Sequence, residues 1–158
     1  MRADCGRNGQ AIVETLIATI ILTFAFLALF RLSHLLTGKI IAEHAAMRVA
    51  RARTVGLNDF MCVKAARIAT IPVSGERLWP QGGEFDYPME LARSKIYMAS
   101  ANGAMARGIL EYSGWNSLGV HAGDGTDARV TVSNSWFSVS GEAAIERNSS
   151  LYMYDTGL

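Results

Sequence analysis

The stretch Gly9-Gln10-Ala11-Ile12-Val13-Glu14, together with the apolar run that follows it, decides the fold of this 158-residue chain. From Ala11 to Phe30 there are 20 residues, of which only Glu14 is charged. At about 1.5 Å of rise per residue, a helix of this length crosses the roughly 30 Å hydrocarbon core of a bilayer. The sequence therefore predicts one membrane-spanning helix over residues 10–30.

An ordinary secretory signal peptide is the alternative explanation for the apolar run. Its apolar region would be about 7–15 residues long and would end at a cleavage site of the small-x-small type. The run in this chain is longer, and Leu29-Phe30-Arg31-Leu32 offers no such site. We therefore expect the helix to be retained as an anchor.

Glu14 is the unusual residue of the run, because a charge at the bilayer centre costs about 2.5–3.5 kcal/mol on insertion scales. On one interpretation it is an edge residue whose side chain reaches the interface and complements the positive end of the helix. On the other, it is kept inside the membrane to meet a cationic partner. The residue alone leaves both interpretations open.

The surroundings of Glu14 resemble the N-terminus of the type IV pilin family. A basic leader containing Arg2 and Arg7 precedes Gly9, Glu14 is the fifth residue counted from Gln10, and an apolar helix follows. The sequence motif Gly-Gln-Ala-Ile-Val-Glu and the short C-terminal part are most similar to those of TadE-like pseudopilins of the tight-adherence pilus system. This resemblance implies that residues 1–9 are a leader, which a prepilin peptidase removes on the cytoplasmic side by cutting between Gly9 and Gln10.

The same resemblance implies a role for Glu14 and a set of partners. Glu14 would pair with the freed α-amino group of a neighbouring subunit during assembly. The implied partners are the membrane, the prepilin peptidase and other pilin or pseudopilin subunits. The chain would lie in the inner (cytoplasmic) membrane with its head outside the cytoplasm, or be incorporated into an extracellular pilus. Gln10 departs from the N-methylated Phe or Met that many type IV pilins carry at this position.

Other functions remain as alternatives: a type II secretion pseudopilin, a type IV pilin, or a single-pass anchored domain such as an enzyme or a sensor. The flanking charges bear on orientation, because basic residues are more numerous after the run (Arg31, Lys39, Arg48, Arg51 and Arg53) than before it. The positive-inside rule alone would place the C-terminal part in the cytoplasm. The resemblance implies the opposite, and we follow the resemblance.

The membrane helix has a predicted interaction face of mostly small residues. At about 100° per residue, one third of the helix circumference carries Ala11, Glu14, Thr15, Ala18, Leu22 and Ala25. Small residues allow helices to approach closely in lipid, and Thr15, Thr19 and Thr23 add a ladder of hydroxyl groups. Scattered Ala and Thr are also ordinary in membrane helices, but the presence of Glu14 on this face favours packing against other subunits.

The helix is expected to continue as a stalk over residues 31–56, to about Arg53, with Gly56 marking its end. Gly38 is predicted to be a weak point, at about 1 kcal/mol relative to Ala. Lys39 and Glu43 are spaced for an i,i+4 ion pair. The apolar side of the stalk is predicted to carry Leu32, Leu35, Leu36, Ala46, Met47 and Ala50.

The remainder, residues 57–158, is predicted to be a small α+β head. We expect a helix over residues 60–70 capped by Asn58 or Asp59, a loop over 73–88, and one helix from Pro88 through Ala106. A short strand over 109–115 and a loop over 118–127 follow. Alternation predicts strands over 129–133 and 139–145, with a further candidate at 151–154, as an antiparallel sheet of two to four strands on the long helix.

Catalytic and metal-binding patterns are sparse. The histidines His34, His44 and His121 are far apart in the sequence and are expected at the surface, and no zinc, nucleotide-binding or nucleophile motif occurs. Asp124 to Asp127 is predicted to be a Gly/Asp turn rather than a calcium loop. We therefore predict no enzyme activity, no metal and no cofactor.

Charge and cysteine content narrow the function further. Residues 1–9 hold two of the 15 basic and one of the 14 acidic residues, so their removal leaves 13 of each and zero net charge. The lack of a basic excess argues against a general nucleic-acid binder. Loss of Cys5 would leave Cys62 alone, and we expect it to be a buried apolar residue.

Aromatic residues of the head are expected mainly in its core, with a sugar- or surface-binding platform as the alternative. The residues concerned are Trp79, Phe85, Tyr87, Tyr97, Tyr112, Trp115, Trp136, Phe137, Tyr152 and Tyr154.

Overall fold

A long N-terminal helix followed by short antiparallel sheets confirms the predicted α+β class. The computed structural model describes residues 5–81, 87–122, 127–133 and 137–145, with side chains described from Gln10 onward except that of Tyr87. Within those residues the helices are α1 (Cys5–Thr54), α2 (Asp59–Ala69), α3 (Tyr87–Ala99) and α4 (Gly103–Ile109). The strands are β1 (Arg77–Trp79), β2 (Glu111–Tyr112), β3 (Gly119–Ala122), β4 (Asp127–Ser133) and β5 (Ser138–Ala144).

The chain divides into two compact units, the first ending at Leu36 and the second beginning at Thr37. The second unit contains the remainder of α1 and all the other elements. The predicted end of the long helix near Arg53 is confirmed, since α1 ends at Thr54. Gly56 follows with φ +82°, a backbone conformation that favours glycine, and its N–H donates to the Arg53 carbonyl at 2.9 Å.

In the second unit, α1 is buried along a side of small residues. Ala42, Ala45, Ala46, Val49 and Ala50 are between 0 and 5% exposed. Two members of the predicted apolar stripe, Ala46 and Ala50, belong to this side. Met47, from the same predicted stripe, is 51% exposed and does not belong to this buried side. Hydrophobicity alone does not distinguish Met47 from Val49, whereas close packing selects the side that carries the alanines.

The sheet β3–β4–β5 packs on this alanine side. It is antiparallel throughout, and β4 alternates as predicted, with Ala128, Val130 and Val132 buried. Gly141 of β5 pairs with Val130 and lies directly against α1, so that an added Cβ would overlap backbone atoms of Ala42 and Glu43. A glycine is required at 141 because strand and helix meet backbone to backbone.

Gly38 is better explained by packing than as a weak point of the helix. It is buried, and a Cβ added there would lie 2.7 Å from Cε2 of the Phe137 ring. The predicted pair of Lys39 and Glu43 is confirmed at 3.3 Å, and Lys39 Nζ also donates to the Ser140 carbonyl at 2.7 Å.

Two loop predictions are wrong in part. The predicted loop over 118–127 contains β3, and the predicted loop over 73–88 contains β1. Both strands are only three or four residues long, and each is defined by its partner strand, β4 for β3 and β2 for β1. Such strands lack a strong local signal, because pairing and burial rather than intrinsic propensity determine them. The predicted strand over 109–115 is reduced to Glu111–Tyr112, followed by a 3-10 turn over Ser113–Ser117.

The helix predicted from Pro88 through Ala106 is two helices, α3 and α4. The break follows from Asn102, whose side-chain oxygen accepts a hydrogen bond from the Met105 N–H at 2.8 Å and caps α4. The Ser100 hydroxyl donates to the Tyr97 carbonyl at 2.7 Å at the end of α3. The helix predicted over 60–70 is confirmed as α2, capped by Asn58, which accepts from the Met61 N–H at 3.0 Å.

A second core lies around Trp115, Tyr97 and Tyr112, which are at most 6% exposed, so core packing is confirmed for these three aromatics. Burial, and then the 2.5 Å hydrogen bond that the hydroxyl donates to Glu90, raise the pKa of Tyr112. Trp79 is 46% exposed, so its predicted packing is only partial. The predictions for Phe85, Asp124, Trp136, Tyr152, Tyr154 and the strand at 151–154 lie outside the described residues.

Candidate functional site in the apolar helix

The described part of the first unit is a helix, and no described residue of the chain buries its apolar surface. Between Gln10 and Thr37 the sequence has neither Gly nor Pro, so i→i−4 hydrogen bonds can satisfy the backbone, as lipid requires. Every residue from 10 to 36 is exposed, among them Leu22 at 71% and Phe24 at 69%. Soluble proteins seldom leave so large an apolar surface to water, so a membrane or another protein is needed to cover it.

The membrane criterion is met by the same segment. The helix from Gln10 to Thr54 includes an 18-residue window with a mean hydropathy of 2.4, none of which is buried. By length and composition this helix can cross a membrane, and it lies near the N-terminus.

The predicted cleavage site lies within α1. The helix begins at Cys5, so the peptide bond between Gly9 and Gln10 is only about one turn from its N-terminus. Helix ends open most easily, and a glycine in a helix costs about 1 kcal/mol relative to Ala. Local opening of the helix at this bond therefore requires little free energy. Cleavage here stays a prediction.

Glu14 and the predicted packing residues lie on the uninterrupted helix. Glu14, Ala11, Thr15, Ala18, Leu22 and Ala25 are all exposed. Within the described part of the chain, no group donates a hydrogen bond to the Glu14 carboxylate. No described residue is therefore an internal partner for this face, and the assembly role of Glu14 stays a prediction.

The threonine ladder differs from the sequence expectation in one respect. Thr15 donates to the Ile12 carbonyl at 2.9 Å, Thr19 to the Thr15 carbonyl at 2.7 Å, and Thr23 to the Thr19 carbonyl at 2.8 Å. Each hydroxyl proton is thus used inside the helix, which lowers the cost of placing the hydroxyl in lipid. Only the oxygen lone pairs remain for a neighbouring helix.

The three histidines are exposed, as predicted. His34 packs edge-on against the Phe30 ring, with centroids 4.5 Å apart at 77°. His44 lies on the second-unit part of α1, and His121 lies on β3. Among the described residues, no group of three or more His, Cys, Asp or Glu side chains is arranged to hold a metal ion.

A cavity of about 350 Å³ in the second unit is a feature that the sequence did not predict. Its lining residues are Arg53, Asp59, Cys62, Val63, Val120, His121 and Ala122. The guanidinium of Arg53 is engaged there, with its Nη2 atom 2.6 Å from Asp59 Oδ1 and 2.9 Å from the Ala122 carbonyl oxygen.

The thiol in this cavity is a poor nucleophile. Cys62 is 1% exposed, which confirms the predicted buried cysteine. Burial is the main cause that raises the pKa of Cys62, and it outweighs the opposite effect of Arg53. Because the thiolate is the reactive form, this position favours a packing role.

No family of known proteins, no curated protein and no solved structure matches this chain.

Proposed function

We propose that the chain is a TadE-like minor pilin or pseudopilin, a structural subunit of a tight-adherence or type IV-like pilus assembly or secretion system. It would be made as a prepilin, cut by a prepilin peptidase between Gly9 and Gln10, and assembled through its N-terminal helix. The observation that carries this proposal is the exposed apolar part of α1 over residues 10–36, with one carboxylate, Glu14, close to its start.

The proposed chemistry follows from the charge of that carboxylate. An unpaired carboxylate in a low-dielectric environment is strongly unfavourable, and a cationic partner with good geometry offsets the cost. Cleavage before Gln10 creates such a cation, the new α-amino group. In the proposed assembly, Glu14 of one subunit accepts hydrogen bonds from the amino terminus of its neighbour, while Ala11, Ala18 and Ala25 allow the helices to approach.

The proposed location is the inner membrane, with the head outside the cytoplasm. A head in this location places Gly9 and the leader on the side where prepilin peptidases cut. Type II secretion pseudopilins and type IV pilins share the same chemistry at Gly9, Gln10 and Glu14, so the proposal distinguishes them only by the apparatus that the chain joins.

Cleavage is the first testable consequence. We expect coexpression with a prepilin peptidase to convert the chain into a product that begins at Gln10. Intact-mass measurement is the suitable assay, because an N-terminal glutamine can cyclise and block stepwise sequencing. Substitution of Gly9 by valine should prevent the conversion, whereas Gly108→Val, in α4, should leave it unchanged. A mature chain that begins at any other residue contradicts the proposed site.

Glu14→Gln is the second test, since it removes the charge and keeps the size of the side chain. Membrane insertion should be unchanged or easier, because a charge in the membrane is costly. Incorporation into the assembled fraction should fall at least about tenfold, because the amide cannot neutralise an amino terminus. The measurement is the ratio of assembled to membrane-bound chain after shearing.

Glu43→Gln is the matched control for this test. It removes a carboxylate from the same helix, but one whose partner is Lys39 and whose side chain is 44% exposed. Exposed pairs of this kind contribute little, so incorporation should be normal. If Glu14→Gln is incorporated as well as Glu43→Gln, Glu14 has no assembly role.

A further inference from the structure

The second-unit part of α1 has an exposed side opposite the alanines. Its residues are spaced by three or four, which places them in one stripe along the helix. We call this stripe the outer face of α1, and it consists of Ile40, His44, Met47, Arg48 and Arg51. All five are exposed, with Ile40 at 65% and Met47 at 51%.

The outer face carries positive charge that the described part of the chain does not neutralise. Neither Arg48 nor Arg51 has an ion pair or a hydrogen bond from its side chain to any described residue. The nearest acidic residue along the helix, Glu43, is paired with Lys39 at 3.3 Å. Asp59, beyond the end of α1, is paired with Arg53 at 2.6 Å.

The composition of the face fits a protein partner better than lipid. Arg and Met are enriched at protein interfaces, and an arginine there commonly pairs with a carboxylate. A helix that lies on a membrane surface instead separates an apolar side from a charged side. The outer face does not show this separation, because the polar His44 lies between the apolar Ile40 and Met47. The opposite side of the helix is covered by the sheet, so it is not available to a membrane.

A second copy of the chain docked through the same face is disfavoured by charge. A symmetric contact would place the same patch on both protomers, and Arg48 and Arg51 would then face their own copies. We propose that the outer face of α1 docks a different protein, through an acidic helix that carries an apolar stripe. This inference requires only a protein partner and does not depend on the pilus role.

A designed peptide tests the proposal on the full-length chain in detergent micelles. The probe is a labelled helical peptide with a leucine stripe flanked by glutamates, and its binding is followed by fluorescence anisotropy. The double variant Arg48→Glu/Arg51→Glu should bind at least about tenfold more weakly than the unmodified chain. The affinity for the unmodified chain should also fall as salt is raised from about 50 mM to about 500 mM.

Two control variants separate charge at this face from general effects. The double variant Arg48→Lys/Arg51→Lys keeps the charge, so its affinity should stay within about threefold. Arg107→Glu reverses an exposed charge on α4 and should leave binding unchanged. Circular dichroism should show the same helix content for all variants, as expected for exposed sites.

Four results would overturn the proposal. The first two are equal affinity of the double charge reversal, and equal binding of a peptide that has lysines in place of the glutamates. The third is self-association of the chain that the double charge reversal abolishes, because it would assign the face to a second copy. The fourth is quenching of a fluorophore at position 47 by labelled phosphatidylglycerol in nanodiscs, because it would assign the face to lipid.

Discussion

Replacement of Gly141 by valine is expected to strain the contact between the β3–β4–β5 sheet and α1 and to destabilise the second unit strongly. Any Cβ at position 141 would overlap backbone atoms of Ala42 and Glu43, and a helix backbone cannot move aside as a flexible side chain can. Overpacking a core typically costs 1–3 kcal/mol, and we expect about 3 kcal/mol or more at this site. Small domains are stable by only about 5–15 kcal/mol, so this loss is large.

The measurement is urea or thermal unfolding of the full chain in detergent, followed by tryptophan fluorescence. Gly141→Ala should also lower the free energy of unfolding, but by less, since it adds only the Cβ atom. Gly108→Ala is the matched control, because nothing lies within 4 Å of a Cβ added at this helical position. It should be neutral or stabilising by up to about 1 kcal/mol. A Gly141→Val chain as stable as Gly108→Ala would contradict the close contact.

The sequence contains a signal for this contact, although the alternation that predicts strand 139–145 does not reveal it. An isolated glycine inside a strand pattern often marks a bulge or a close approach of two backbones. Gly141 lies inside the predicted strand, and Gly38 lies inside α1 near its alanine side. Together, the two glycines indicate a sheet laid closely on the helix. Only the structure identifies the atoms that approach each glycine closely. They belong to the helix backbone at Gly141 and to the Phe137 ring at Gly38.

Elements with strong local signals were the predictable ones. The apolar run, the Asn58 cap of α2 and the alternation of β4 each depend on residues close in sequence, and each is confirmed. The short strands β1 and β3 depend on partners six or more residues away, so periodicity could not find them. The sequence signal for the division into α3 and α4 is Asn102, a residue that prefers a cap to a helix interior, followed by Gly103.

For the candidate site, the sequence predicts where residues lie on the helix but not what contacts them. Because no Gly or Pro interrupts residues 10–36, the positions of Glu14 and Leu22 on the helix follow directly from residue spacing. What covers them does not follow, since no described residue of the chain buries them. The cavity beside Arg53 was also unpredictable, because it joins residues from α1, α2 and β3.

Replacement of Lys64 by methionine is expected to destabilise the second unit by about 2–5 kcal/mol. Lys64 is 1% exposed, and its ammonium donates to the Met98 carbonyl at 3.0 Å and to the Ser100 carbonyl at 2.6 Å. It also lies 4.7 Å from the centroid of the Phe60 ring. Methionine keeps the apolar stem, but it leaves two carbonyls near the end of α3 without these donors, at about 1–3 kcal/mol each. A cation near a helix C-terminus adds about 0.3–1 kcal/mol.

The pH dependence gives this substitution a second readout. Burial lowers the pKa of Lys64 from its ordinary value of 10.5. Between the lowered pKa and 10.5 the unfolded chain binds more protons than the folded chain, so the contribution of Lys64 to the free energy of unfolding rises with pH. The stability difference between the unmodified chain and Lys64→Met should therefore increase as pH approaches 10.5. The raised pKa of Tyr112 affects both chains alike and cancels in this difference.

Lys95→Met provides the comparison, because Lys95 lies on α3 and is exposed. Surface substitutions of this kind usually change stability by less than about 0.5 kcal/mol. Urea unfolding of the three chains at several pH values between about 7 and 10 makes the measurement. If Lys64→Met and Lys95→Met are equally stable, the two carbonyls at the end of α3 have found other donors, and Lys64 does not hold α2 to α3.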